Sequence, residues 1–176
     1  MAPWRRSVTD YFPGVNQRCK IASMQEPNNH STETNPVGRF MVAVGAIIKL
    51  KGTNKILLVR RAKTQDWQPN EWEILYGRID QFEDLPTGLK REVKEETGLT
   101  DLEIGPILTN WHIYRGSKSA YNEVIGLTFI CETTQKNVTL SFEHSEYQWI
   151  EPEKAVELIK VDGIKKDVEE YLQTHP

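Results

Sequence analysis

The sequence predicts an α/β (α+β) layered domain with strands sandwiched between helices. Three observations carry that reading: short β-branched and aromatic runs bounded by turn residues, one highly charged helical segment set among them, and two helical segments that close the chain. Strand-like runs extend from Phe40 to Leu50 and from Ile56 to Arg60, joined as a hairpin through the turn Lys51-Gly52-Thr53-Asn54. Further short strands are expected at Trp72 to Leu75, around Ile107 to Tyr114, at Val124 to Glu132 and at Val138 to Leu140. Helices are expected from Pro152 to Lys160 and from Gly163 to Gln173, the second carrying Ile164, Val168 and Leu172 at helical spacing.

Composition bounds what such a domain can be. With 176 residues, 38% hydrophobic and 27% charged, the chain suits one globular domain with a sizeable core plus a tail. It divides near Val37. Residues 1–37 hold Pro3, Pro13, Pro27, Pro36 and the polar run Gln25 to Asn35, so a mobile leader is expected there and the folded domain over 38–176. A net charge of −3 offers no basic face for a nucleic-acid polymer. Cys19 and Cys131, the only cysteines, indicate neither a disulfide framework nor a zinc site. The longest apolar run, Met41 to Ile48, is too short for a bilayer, and the N-terminus has no signal-peptide core. The expectation is a cytoplasmic protein without a membrane partner, monomeric or homodimeric.

The chemistry concentrates between Gly77 and Leu99. At about 100° per residue, Glu92, Glu95 and Glu96 share one helix face, where like charges one turn apart repel. Arg91 flanks that arc, but one guanidinium cannot neutralise three acids. A hard divalent cation with oxygen ligands is the simplest remaining candidate, and magnesium fits best because substrate phosphates usually complete its shell. Leu89 and Val93, at the edge of the arc, would pin the helix to a core, while Gly88 removes a side chain where a close approach is needed. Asp84 can cap the helix and Pro86 suits its first turn. An ordinary solvated helix, with Lys90 and Lys94 as surface partners, would not explain the glycine at each end, Glu83 on the preceding loop, or the Arg-Glu pair.

Gly77, Glu83, Arg91, Glu92, Val93, Glu95, Glu96, Gly98 and Leu99 match every specified position of the Nudix box, G-x5-E-x7-R-E-U-x-E-E-x-G-U with U aliphatic. The wider resemblance to that family covers roughly residues 38–174. It implies a Nudix-type α/β/α sandwich with a mixed central sheet and a loop-helix catalytic motif. It further implies that Glu92, Glu95 and Glu96 bind Mg2+, with Mn2+ as the alternative, that Arg91 orients Glu92, and that Glu83 supports the loop or an outer metal shell. The backbone carbonyl before the box glycine, here Tyr76, would complete the metal site. The family's usual Pro-Gly-Gly is replaced by Leu75-Tyr76-Gly77, which leaves the place of the Tyr76 ring open. An additional acid after the box would serve as ligand or general base, and the resemblance favours Glu143, with Glu146 in reserve. The adjacent His144 is expected to face solvent.

Outside the box, Arg61 resembles a phosphate-meeting arginine of the family, and Arg60 reads as an edge-strand charge. Trp72, Tyr76 and Trp111 are the substrate-facing aromatic candidates, with Trp67, Tyr114 and Tyr121 behind them. The expected activity is metal-assisted hydrolysis of the diphosphate linkage in a nucleoside diphosphate derivative, NDP-X, by in-line attack of water, with Glu143 or Glu92 taking the proton. The small-molecule partner would be a nucleotide or another diphosphate. A non-catalytic sensor on the same fold would be free to lose one of the three helix acids, and none is missing; an isomerase would need a catalytic cysteine, which Cys131 is poorly placed to supply.

Overall fold

The computed structural model describes residues 40–175, so the expected leader and Cys19 lie outside the described residues. Within them the elements run β1 (Met41–Leu50), β2 (Ile56–Arg61), β3 (Trp72–Glu73), β4 (Leu75–Arg78), α1 (Leu85–Thr97), β5 (Glu103–Tyr114), β6 (Glu123–Thr133), β7 (His144–Ile150), α2 (Pro152–Leu158) and α3 (Asp162–Thr174). The strands form one mixed sheet in the order β3-β2-β1-β6-β5, with β4 also pairing β1 and β7 pairing β2. The β1–β6 pair is parallel and the other pairs are antiparallel.

The unbroken apolar run of β1 reflects burial on both sheet faces. Val44, Ala46 and Ile48 pack with Leu57, Val59, Leu75, Phe129 and Cys131 against Leu89 and Val93 of α1. On the opposite face Ile47, Leu58, Ile74 and Ile130 meet Ala155, Ile159, Ile164, Val168 and Tyr171 of the α2–α3 layer. Alternation along each strand therefore feeds two cores, and the layers are helix, sheet and helices. The C-terminal helix buries Tyr171 beside Ile164 and Val168, while Leu172 is only half-buried. No helix among the described residues is long and apolar enough to cross a membrane.

Three sequence expectations need correction. The segment Val138 to Leu140 is not a strand: Thr139 N donates to Thr97 O at 2.8 Å and Ser141 N to Glu96 O at 3.1 Å, satisfying carbonyls that the end of α1 leaves free. The run after Phe142, for which the sequence predicts no strand, forms β7, whose ladder with β2 spans Ile56↔Ile150 to Arg61↔His144. Its polar outer face concealed the strand. The stretch Trp72 to Leu75 breaks at Ile74, because β3 pairs with β2 and β4 moves across to pair with β1.

Two contacts fix α1 on the sheet. Gly77 lies opposite Val44, and a Cβ there would stand 2.1 Å from Glu92 Cγ, so only glycine lets the helix come this close. At Gly88 a Cβ would stand 2.4 Å from Ile79 Cδ1 and 2.8 Å from Glu83 Oε2. Glycine to alanine inside a helix ordinarily adds roughly 1 kcal/mol of stability. Here Gly88→Ala is expected to lower it by about 1–3 kcal/mol through overpacking, a sign reversal that urea unfolding of the two proteins would read.

Candidate active site

Helix α1 begins at a well-formed cap. Asp84 Oδ1 accepts from Thr87 N at 2.9 Å, Pro86 fills the first turn, and Gly98 ends the helix at φ 71° with its N–H donated to Lys94 O. The loop before it is drawn tight by Glu83. Its Oε2 accepts from Asp80 N at 3.1 Å, and Phe82, almost wholly exposed, is held at φ 70°, a left-handed conformation that side-chain-bearing residues adopt at a cost.

Arg91 is the electrostatic hub of this corner. Its Nε and Nη2 donate to the two oxygens of Glu83 at 3.0 and 2.8 Å, its Nη1 donates to Glu92 Oε1 at 2.9 Å and Glu95 Oε2 at 3.3 Å, and Nη2 also reaches Arg78 O at 3.0 Å. Pairing with Arg91 holds the Glu83 carboxyl below its ordinary range, and Glu83 in turn deepens the guanidinium's hold on its proton. Burial pushes Glu92 upward in spite of the opposing pull of Arg91.

Glu96 receives only a weaker pull, from Arg61. Its side chain is 8% exposed, and burial, followed by the nearby charges of Glu92, Glu143 and Glu73, pushes its pKa from 4.5 up to about 9. Glu95, with its side chain 60% exposed, stands at the rim. Glu143 precedes β7, fixed by its own carbonyl accepting from Ala62 N at 2.8 Å and by its N–H donating to Ser141 Oγ at 3.2 Å. Among the described residues, no three acidic, imidazole or thiol side chains enclose an ion by themselves. The donor set nevertheless fits a hard divalent cation, which takes oxygen ligands and leaves part of its shell to water and substrate. A buried carboxyl facing further carboxylates requires either a proton or such an ion.

The Tyr76 carbonyl is oriented by register. Ile79 N donates to Val42 O at 3.0 Å, which makes that pair and every second pair of the β1–β4 ladder hydrogen-bonded; Tyr76 faces Gly45 at a non-bonded position, so its carbonyl points away from β1. Its ring lies on the other face. Tyr76 Oη donates to Asp167 Oδ2 at 3.0 Å, and the ring meets Trp111 edge-on at 5.7 Å. Trp111 lies against Gly126 and donates from Nε1 to Thr128 Oγ1 at 3.1 Å. Asp167, buried on α3, also accepts from Thr109 Oγ1 at 2.7 Å and Thr128 Oγ1 at 2.6 Å. Trp72 is half-buried against the α2–α3 core.

Arg61 is committed inward. It donates to Trp67 O at 2.7 Å, to Glu73 Oε1 at 3.0 Å and to Gln65 Oε1 at 3.2 Å. Arg60 is taken by Asn70 O and by Glu146, each at 2.9 Å. Trp67 lies 5.8 Å from the guanidinium of Arg115, Tyr114 tilts against His112, and Tyr121 is exposed. His144 overturns its expectation outright: its side chain is 2% exposed, because β7 carries it inward beside Glu73. Sequence reasoning passed over Glu73, whose signal was an acid between Trp72 and Ile74 in a strand, and Asp167, which looked like an ordinary charge on α3.

Comparison with known proteins bears on the family and the fold. The model of the NUDIX domain matches residues 39–172. The chain belongs to the Nudix family. Over 106 residues it is 29% identical to a nucleoside triphosphatase, NudI, of Escherichia coli K12, covering 57% of this chain and 75% of that protein. An m7GpppN-mRNA hydrolase of Bos taurus is 33% identical over 97 residues, or 50% of this chain and 32% of that one. The chain spans about a third of the length of that relative. Among solved structures, a MutT protein from Methanosarcina mazei Go1 superposes with a TM-score of 0.66 at 26% identity, covering 81% of this Nudix chain and all of that one. The fold class, a mixed α+β sheet with few helices, is that of these hydrolases.

The buried Glu96 sets a pH dependence for the metal-free Nudix domain. The folded state keeps a proton that the unfolded chain releases near pH 4.5, so stability falls as pH rises from there and levels off beyond about 9. Glu96→Gln is expected to flatten that decline and to raise the melting temperature most near pH 9. Melting curves from pH 5 to 9 in chelator would decide it, and parallel curves for the two proteins would refute the assignment.

Proposed function

We propose that this Nudix domain hydrolyses the diphosphate linkage of a nucleoside diphosphate derivative with the help of Mg2+, or of Mn2+. One observation carries the reading: Glu96 is buried, accepts no side-chain hydrogen bond among the described residues, and feels the charges of Glu92 and Glu143. That arrangement is unfavourable in the free protein and is relieved by a divalent ion. The relatives' names range from a nucleoside triphosphatase to a hydrolase of capped mRNA, and a phosphoanhydride joined to a nucleoside is common to both. A net charge of −3 favours the small nucleotide over the polymer.

The contacts support a division of roles. Glu96 and Glu92 would hold the ion, with the outward carbonyl of Tyr76 beside them and Glu95 at the rim. When bound, the ion would neutralise the bridging phosphate oxygens and make a bound water more acidic. Glu143 takes the proton from the attacking water, because Glu92 is already engaged by Arg91. The water oxygen bonds to phosphorus as the bridging P–O bond breaks, and the leaving phosphate carries off the electron pair. Arg91 touches no substrate and holds Glu92 in line while Glu83 fixes Arg91.

The test is a panel of ordinary and oxidised purine triphosphates, nucleotide sugars, ADP-ribose and dinucleoside polyphosphates, with phosphate or pyrophosphate release measured in Mg2+. Turnover of at least one compound, abolished in Glu96→Gln, is expected; binding without turnover across the panel would make the protein a sensor. On the best substrate, Arg91→Ala should lower kcat by about 10–100-fold with KM little changed. Glu143→Gln should cost about 100-fold or more in kcat, and a loss under about tenfold would remove Glu143 as the base.

A further inference from the structure

Three adjacent strands converge behind Glu96. Strand β2 pairs with β3 through Val59↔Glu73 and with β7 through Arg61↔His144, so Arg61, Glu73 and His144 meet at the end of β2. Arg61 Nη1 donates to Glu73 Oε1 at 3.0 Å, and His144 Nε2 stands 3.2 Å from the same oxygen. The Glu73 and His144 side chains are 7% and 2% exposed. A carboxylate that accepts from Arg61 can only accept from the ring as well, so Nε2 carries the hydrogen and Nδ1 is left facing the other way. Nδ1 is buried, has no partner among the described residues, and lies 3.9 Å from Glu96 Oε2.

We propose that His144 is a positioning residue for Glu96, its ring anchored by the Arg61–Glu73 pair so that Nδ1 sets the Glu96 carboxyl in the orientation a divalent ion requires. The inference rests on the metal-dependent reading above and deepens it. A purely structural residue in this place would be apolar, since an imidazole nitrogen buried without a partner is unfavourable. A small side-chain rotation brings Nδ1 and Oε2 within hydrogen-bonding distance, where the protonated Glu96 carboxyl of the metal-free protein donates to Nδ1. Such outer contacts fix the direction in which a ligating carboxylate offers its lone pairs. Arg61 then serves the site through Glu73, with its donors turned away from phosphate.

The experiment is a Mn2+ titration of the full chain followed by electron paramagnetic resonance, with no nucleotide present. His144→Phe is expected to weaken Mn2+ binding about 10–100-fold in protein that remains folded by circular dichroism. His144→Gln, whose amide can still make the bond, should recover most of that loss. Glu96→Gln is the control for the parent reading. If Glu96→Gln binds Mn2+ as the wild type does, the metal-site reading fails. If Glu96→Gln loses the ion while folded His144→Phe does not, or if His144→Gln is as weak as His144→Phe, the positioning role fails alone. Nitrogen-14 modulation from a directly bound imidazole would also overturn it, making His144 a ligand. Should His144→Phe not fold, the wild type still decides: imidazole nitrogen-15 resonances of His144 should shift on Mg2+ addition and stay unmoved in Glu96→Gln, and a wild-type Nδ1 that ignores Mg2+ refutes the proposal.

Discussion

The position of one carboxyl group governs this domain. Glu96 is carried into the interior by the same helix turn that buries Val93 and Thr97, so packing and charge oppose each other there. Folding removes the carboxyl from water while its neighbours supply further negative charge. The guanidiniums of this corner do not resolve the conflict, because Arg61, which pulls against the shift, is committed to Glu73, Trp67 O and Gln65, and Arg91 is taken up by Glu83, Glu92, Glu95 and Arg78 O. Positive charge is thus fixed on the Glu83 side of Glu92, and a negative corner is left on the Glu96 side. The donors left there are carboxylate oxygens, the type a hard divalent cation takes, and among the described residues no three acidic, imidazole or thiol side chains enclose an ion.

Close approach explains why the loop-helix motif has no freedom in its spacing. Glu92 lies directly over Gly77, and Ile79 and Glu83 lie directly over Gly88. One insertion in the intervening loop would place a side chain where each glycine now stands. The same loop holds Phe82 in the left-handed region. The backbone strain there is of order 1–3 kcal/mol, and it is offset by the bidentate Arg91–Glu83 pair and by Asp80 N on Glu83. Glu83 therefore shapes the chain that leads into α1.

Where the side-chain period was clean, the sequence could be read directly. Strands β1 and β2, the turn between them, the cap at Asp84 and the apolar stripe of Leu89 and Val93 are local properties, set by neighbours within a few residues. Strand β7 was hidden because its stability comes from a ladder with β2, about 86 residues away at the Arg60–Glu146 pair, and its outward residues are polar. The box acids were legible from spacing. The environment of Glu96 was not, since His144 and Glu73 reach it through strand pairing. Arg61 shows the same limit: its residue type suits phosphate, but its direction is set by the loop ending at Trp67 and by Glu73.

The replacement of the usual glycine by Tyr76 is explained by the strand itself. Side chains alternate across β4, so Gly77 faces α1 and Tyr76 faces the α2–α3 layer. The ring finds space over Gly45, where a Cβ would stand 2.7 Å from it, and its hydroxyl joins Thr109 and Thr128 on Asp167. The Tyr76 carbonyl is directed by ladder register alone, independent of what the side chain does. One residue can therefore turn its carbonyl away from β1 and its ring to the α2–α3 core. The substitution reshapes the face shared with Trp111, through Thr128, and leaves the acid corner under Gly77 as the helix requires it.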